Sequence, residues 1–131
     1  MIEITPIGSV STPIKTTDEA PSQAVKADIS GTIEIDPEYE SALQGIEVGY
    51  DIVVVWYADE ADRSLRVLDK VSDRGVFNSR SPARPNPIVI TTCTVTDLSG
   101  TNIKVQGVDM LDGSPVLDLK APLRRDLKDE E

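Results

Sequence analysis

Histidine is missing from all 131 residues, which excludes Ser-His-Asp and Cys-His nucleophile pairs and any imidazole-ligated metal. Cysteine occurs once, as Cys93. It can form neither an internal disulfide nor a cysteine-rich zinc site, and its β-branched neighbours mark it as a buried structural thiol. The longest apolar run, Ile52 to Ala58, is too short to span a bilayer. Met1-Ile-Glu-Ile-Thr-Pro6 has neither a basic start nor an apolar stretch of secretory length, so a soluble, cytoplasmic protein is expected, with no membrane partner. No Gly-x-Gly occurs anywhere, so the glycine-rich turn of a doubly wound nucleotide-binding sheet is absent too.

Positive charge is also scarce, with 13 Lys and Arg against 23 Asp and Glu and a net charge of −10. That balance opposes a generic nucleic-acid binder, whose affinity comes from neutralised phosphates. The distribution is uneven. Residues 17–62 carry twelve acidic side chains and one basic one, Lys26, whereas residues 63–84 carry six bases (Arg63, Arg66, Lys70, Arg74, Arg80, Arg84) against Asp69 and Asp73. Such polarity either focuses an anionic ligand on one site or belongs to a chain that is acidic throughout.

What is present is mostly strand. A length of 131 residues suits one domain, residues 1–131, with a single core and a frayed tail at 124–131. Ile2 to Ile14 reads as an extended edge segment punctuated by Pro6 and Pro13, and Thr16 to Gln23 as a loop. Val25 to Ile35 alternates with a break at Ser30-Gly31, which predicts a bulged or bent strand. Tyr50 to Ala58 predicts a central strand buried on both faces, Leu65 to Val71 an alternating strand, and Ile88 to Thr96 a β-branched strand. Ile103 to Val108 follows the Ser99-Gly100 turn, and Val116 to Leu119 follows a turn at Gly113. One helix is expected, capped by Asp36, opened by Pro37, and burying Tyr39, Ala42, Leu43 and Ile46. These elements predict a mainly β, barrel-like single domain with one short helix.

The stretch that packing does not demand is Asp73 to Ile88, where Arg74, Arg80 and Arg84 alternate with Pro82, Pro85 and Pro87. Proline stiffens the backbone, and arginine offers a planar fork for an anionic group. The plain alternative is an exposed loop with solvated arginines.

Several strings occur together and in order: Thr12-Pro13, Ala20-Pro21-Ser22-Gln23, Gly31-Thr32-Ile33-Glu34-Ile35, Pro37-Glu38-Tyr39-Glu40, Arg74-Gly75-Val76-Phe77, Arg80-Ser81-Pro82, Arg84-Pro85-Asn86-Pro87-Ile88, and Gly107 through Lys120. In these, over residues 2 to 123, the chain resembles the TsaA-like family of β-barrel S-adenosylmethionine-dependent methyltransferases, which act on threonylcarbamoyl-adenosine beside the tRNA anticodon. The resemblance implies S-adenosyl-L-methionine as cofactor, tRNA as partner and a homodimer. It maps cofactor contacts onto Thr12, Pro13, Arg80, Ile90, Leu111, Asp112 and Gly113. Arg84 and Asn86 are candidates to bind the methyl acceptor. Asp118 is a candidate to take the departing proton, with Lys120 holding its charge state; the alternative is a surface ion pair. No metal is implied. Family members commonly carry histidines where this chain has Asp51 and Ala58, and a tyrosine after the Lys-Pro that is here Lys120-Ala121-Pro122. Two alternatives follow: a non-enzymatic S-adenosylmethionine-binding module, or methyl transfer to a small molecule or protein.

Overall fold

The computed structural model describes residues 1–16, 29–68 and 74–123. Its body is a closed six-stranded barrel in the order β1-β2-β7-β6-β3-β8. These strands are β1 (Gly8–Ser11), β2 (Ser30–Ile35), β3 (Asp51–Tyr57), β6 (Ile88–Ser99), β7 (Asn102–Gln106) and β8 (Pro115–Lys120). A separate two-stranded ribbon, β4 (Val67–Leu68) with β5 (Arg74–Gly75), lies between β3 and β6 in sequence. The pairs between neighbouring barrel strands are all antiparallel. Among the described residues no helix is long and apolar enough to cross a membrane.

Alternation decides which side chains fill the interior. Val10, Ile33, Ile35, Ile52, Val54, Trp56, Cys93, Val95, Ile103, Val105 and Val116 form one buried cluster with Val108 and Met110. Cys93 is thus the buried thiol expected of it. Strand β3 is central, pairing with β6 on one side and β8 on the other. Its two faces differ, however: Ile52, Val54 and Trp56 are buried, while Val53, Val55 and Tyr57 on the barrel exterior are half-buried. A barrel has one dry face, which is why the expectation of two does not hold.

Further expectations change. Strand β2 shows no bulge at Gly31, which pairs in regular register with Val105. Glycine is needed there for close approach, since a Cβ would stand 3.0 Å from the Ser11 carbonyl oxygen and 3.1 Å from Val108 Cγ1. The bulges lie instead between Val95 and Asp97 of β6 and opposite Val55–Trp56 in β8. The expected helix is a 3-10 helix, Pro37–Leu43, with no side-chain bond from Asp36 and no fully buried residue. The Asp36 N–H donates to the Ile7 carbonyl and the Gly49 N–H to that of Val95, so the segment is held at both ends. Tyr39, Leu43 and Ile46 still lean on the core from one end of the barrel, while Ala42 is exposed. The start of the Val25 strand, most of the Thr16–Gln23 loop, residues 69–71 of the Leu65 strand, and the tail lie outside the described residues.

Candidate active site

The end of β1 and the turn before β8 are distant in sequence, yet strand pairing places them side by side. The Thr12 N–H donates to Asp112 Oδ1 (3.0 Å), and Lys15 Nζ reaches Asp112 Oδ2 at 2.8 Å. The Thr12 hydroxyl, buried, donates to the Met110 carbonyl (2.9 Å) and accepts from the Ile14 N–H (3.1 Å). The turn's own N–H groups are occupied as well: Asp112 donates to Ile14, Gly113 to Val10 and Ser114 to Leu111. Gly113 has φ +86°, which favours glycine. Asp112 and Gly113 therefore contribute a rigid shape and not free donors, whereas the Leu111 N–H, beside the cavity that adjoins this turn, has no acceptor among the described residues. The Lys15 and Thr12 hydrogen bonds hold the Asp112 carboxyl below its ordinary range.

Next to this turn is a cavity of about 130 Å³, lined by Trp56, Ala58–Ala61, Pro82, Asp109, Leu111 and Ser114. Its walls are mostly apolar, and three carboxylates, Asp59, Glu60 and Asp109, border it. Behind the wall, Trp56 Nε1 donates to Thr91 Oγ1 (3.0 Å) and Thr91 Oγ1 donates to Asp109 Oδ1 (2.8 Å). Pro82 brings the proline- and arginine-rich loop to this mouth, and the Ala58 N–H donates to the Pro87 carbonyl.

That loop is tied to itself. The Arg84 guanidinium donates to the carbonyls of Ser79, Ser81 and Val76 at 3.2, 2.9 and 3.0 Å, and Arg63 Nε donates to that of Pro85. Arg84, read from sequence as facing an acceptor, is thus a clamp within its loop. Arg80 and Pro13 are exposed. Asn86 is exposed, and its carbonyl accepts from the Ile88 N–H.

The remaining candidates occupy the barrel exterior. Val55 is opposite Ile90 on β6 and Asp118 on β8, and Val53 is opposite Thr92 and Lys120. Ile90, Val55 and Asp118 therefore form one row, with Ile90 and Asp118 roughly 10 Å apart from two strand spacings. Asp118 and Lys120 pair at 2.9 Å, which raises the Lys120 pKa. They border a larger groove, about 370 Å³, at the opposite mouth, with Tyr39, Leu43, Ile46, Tyr50 and Ile52. Size alone would choose that groove, yet it contains none of the cofactor candidates. The structure gathers Thr12, Pro13, Leu111, Asp112, Gly113 and the Arg80 loop at one mouth. Ile90 stands on the outer wall, and Asp118 lies roughly 16 Å along β8 from Gly113.

Sequence reasoning missed Trp56, Thr91 and Ser114 and gave no role to Asp109. The available signal was Asp109 within the Gly107–Lys120 string; Trp56 resembled ordinary strand core.

Residues 9–125 match the tRNA-methyltransferase O N-terminal domain family. The chain is 43% identical over 121 residues to a probable S-adenosyl-L-methionine-binding protein of Halobacterium salinarum, covering 91% of this chain and 97% of that one. It is 42% identical over 118 residues to an S-adenosyl-L-methionine-binding protein of Archaeoglobus fulgidus, covering 88% and 85%. It also resembles the crystal structure of TrmO from Pseudomonas aeruginosa, with a TM-score of 0.79 and 28% identity, covering 96% of this chain and 58% of that one. The chain thus spans a little over half the length of that solved structure. With a matching family model, these relatives and the same barrel, the chain belongs to the tRNA-methyltransferase O N-terminal domain family, a family of S-adenosyl-L-methionine-dependent methyltransferases.

Proposed function

We propose that this chain transfers a methyl group from S-adenosyl-L-methionine to N6 of threonylcarbamoyl-adenosine in tRNA, using the cavity beside Leu111 as its cofactor pocket. The observation that carries the reading is one small apolar cavity lined by Leu111 and by Pro82 of the arginine-rich loop, next to the junction of Thr12 with Asp112. Its lining fits the group: Trp56, Ala58, Pro82 and Leu111 suit an apolar, flat ligand, and the bordering carboxylates suit its positive charge. At about 130 Å³ the cavity takes one end of such a ligand, with the rest directed toward exposed Arg80 and Pro13.

When bound, the cofactor supplies an electrophilic methyl carbon. The chain's own part is positioning. The Thr12–Asp112 junction keeps the turn rigid, and Arg84 keeps Pro82 against the cavity. On the outer wall, Asp118 and Lys120 form a surface ion pair roughly 16 Å along β8 from Gly113, outside the reach of a methyl group held at this cavity. Apolar Ile88, Ile90, Val53, Val55 and Leu117 on that wall suit a second copy of the chain, so the protein acts as a cytoplasmic homodimer.

Methyl transfer from labelled cofactor to tRNA bearing threonylcarbamoyl-adenosine, against the same tRNA lacking it, tests the acceptor. Transfer to the modified tRNA alone is expected, with binding that weakens steeply as salt rises. Cofactor binding without transfer to any tRNA at low salt would overturn the assignment. The net charge of −10 favours the second reading, methyl transfer to a small acceptor, which that result would support. Light scattering should return about twice the 14.2 kDa monomer mass; a monomer at tens of micromolar would remove the second copy.

A further inference from the structure

Asp109 is the one carboxylate bordering the cavity that is fastened from behind. The indole N–H of Trp56 can only donate, so at 3.0 Å it occupies an acceptor position on the Thr91 hydroxyl. That hydroxyl has a single hydrogen, and Asp109 Oδ1 stands 2.8 Å away to receive it. The direction of the chain is therefore fixed, from indole to hydroxyl to carboxylate. Thr91 is 1% exposed and Trp56 6%, so neither donor has room to turn elsewhere. Asp109 is held as an acceptor at the rim of an apolar wall.

Its other oxygen, Oδ2, receives no hydrogen bond or salt bridge from the described residues. Among those residues no lysine or arginine lines the cavity, and the other charged groups bordering it, Asp59 and Glu60, are acidic. No buried side-chain oxygen or nitrogen among the described residues lacks a partner, so this oxygen is accessible from outside and open to a cation or a charged donor.

We propose that Asp109, held by the Trp56–Thr91 pair, is the residue that receives the positive charge of the cofactor. That charge is shared by its α-ammonium and its sulfonium. The proposal rests on the reading of this cavity as the cofactor pocket. It makes Asp109 a specificity residue, selecting the charged cofactor over neutral adenosine thioethers, while the apolar wall contacts parts common to both.

Calorimetry on the full chain tests it with three probes. S-adenosylmethionine carries both charges, S-adenosylhomocysteine keeps the ammonium alone, and 5′-methylthioadenosine has neither. Asp109→Asn preserves an oxygen for Thr91 and removes the charge. It should weaken S-adenosylmethionine about tenfold to a hundredfold and leave methylthioadenosine within about twofold. A parallel loss for S-adenosylhomocysteine would support the proposal through the ammonium; an unchanged value would support it through the sulfonium. Thr91→Ser, which keeps the hydroxyl, should bind like wild type. Equal weakening of all three probes, or no weakening of S-adenosylmethionine, would overturn the proposal. Wild-type protein that binds none of them would overturn the cofactor reading beneath it. Should the asparagine variant fail to fold, the carbon-13 shift of the Asp109 carboxyl in wild type decides: it should move with S-adenosylmethionine and not with methylthioadenosine. The same response to both would sink the idea.

Discussion

Two aspartate–lysine pairs of nearly equal length sit toward opposite mouths of the barrel. Lys15–Asp112 is 2.8 Å long and Asp118–Lys120 is 2.9 Å, and both are substantially exposed. Their surroundings differ. The first joins residues 97 positions apart, and Asp112 also accepts the Thr12 N–H. The second joins residues two apart on one strand, with Asp118 also accepting the N–H of adjacent Leu119. An ion pair that closes a long loop and shares its carboxylate with a backbone donor belongs to the architecture. One within a single strand contributes little to stability and is free to act at a surface. The mouth with the cofactor candidates is built of the first kind of interaction, and the mouth with the larger groove of the second.

The strongest way to break this contrast is at Thr12. Thr12→Val removes a buried hydroxyl that serves two backbone groups, so denaturant unfolding should show a loss of about 1–3 kcal/mol for each group left unpaired. Stability unchanged from wild type would mean the junction is not structural. Arg84→Ala comes next. Loss of a cation bound to three carbonyls should cost about 1.5–3 kcal/mol and expose the 76–87 loop to protease. Arg84→Lys should rescue it only partly, since a compact ammonium cannot match the planar fork. Resistance to protease in Arg84→Ala would return Arg84 to the acceptor role.

A smaller effect compares the two pairs directly. Asp112→Asn should lower the melting temperature measurably at pH 7, and Asp118→Asn should leave it close to wild type; the reverse order would invert the contrast. The smallest effect lies in pH. The Asp112 pKa is depressed below the ordinary 3.8, so its stabilisation is complete above that pH and is lost as pH falls through the folded value. The stability gap between wild type and Asp112→Asn should therefore close below about pH 4. The Lys120 pKa is raised above 10.5, so its contribution is present below that pH and fades only above it. Scans between pH 5 and 9 should show no change from either pair.

Much of the fold was legible in the residues. The β-branched runs at Ile52–Tyr57 and Ile88–Thr96, the Ser99-Gly100 turn and the turn at Gly113 are local features. Each depends on period-two alternation or on a backbone angle that one residue type tolerates. Of the positions the resemblance maps to the cofactor, Thr12, Pro13 and Leu111 to Gly113 come together, while Ile90 stands apart on the outer wall. The helix was legible in place and not in type, because its pitch is constrained by bonds from Asp36 to Ile7 and from Gly49 to Val95, partners that no helical pattern announces. The clamp made by Arg84 was hidden for the same reason, since its sequence advertises charge and only the folded loop supplies the carbonyls it binds.

By itself, then, the sequence determined where strands and turns fall, what fills the barrel and which family the chain resembles, because periodicity and backbone preference act over a few residues. The tertiary structure alone decided that Asp112 closes the β1 end, that Trp56 and Thr91 fasten Asp109, and that Ile90 and Asp118 share one outer row. Those relations join residues 18 to 100 positions apart. They are set by strand register and barrel closure, which put distant side chains within hydrogen-bonding distance only when the whole sheet is complete.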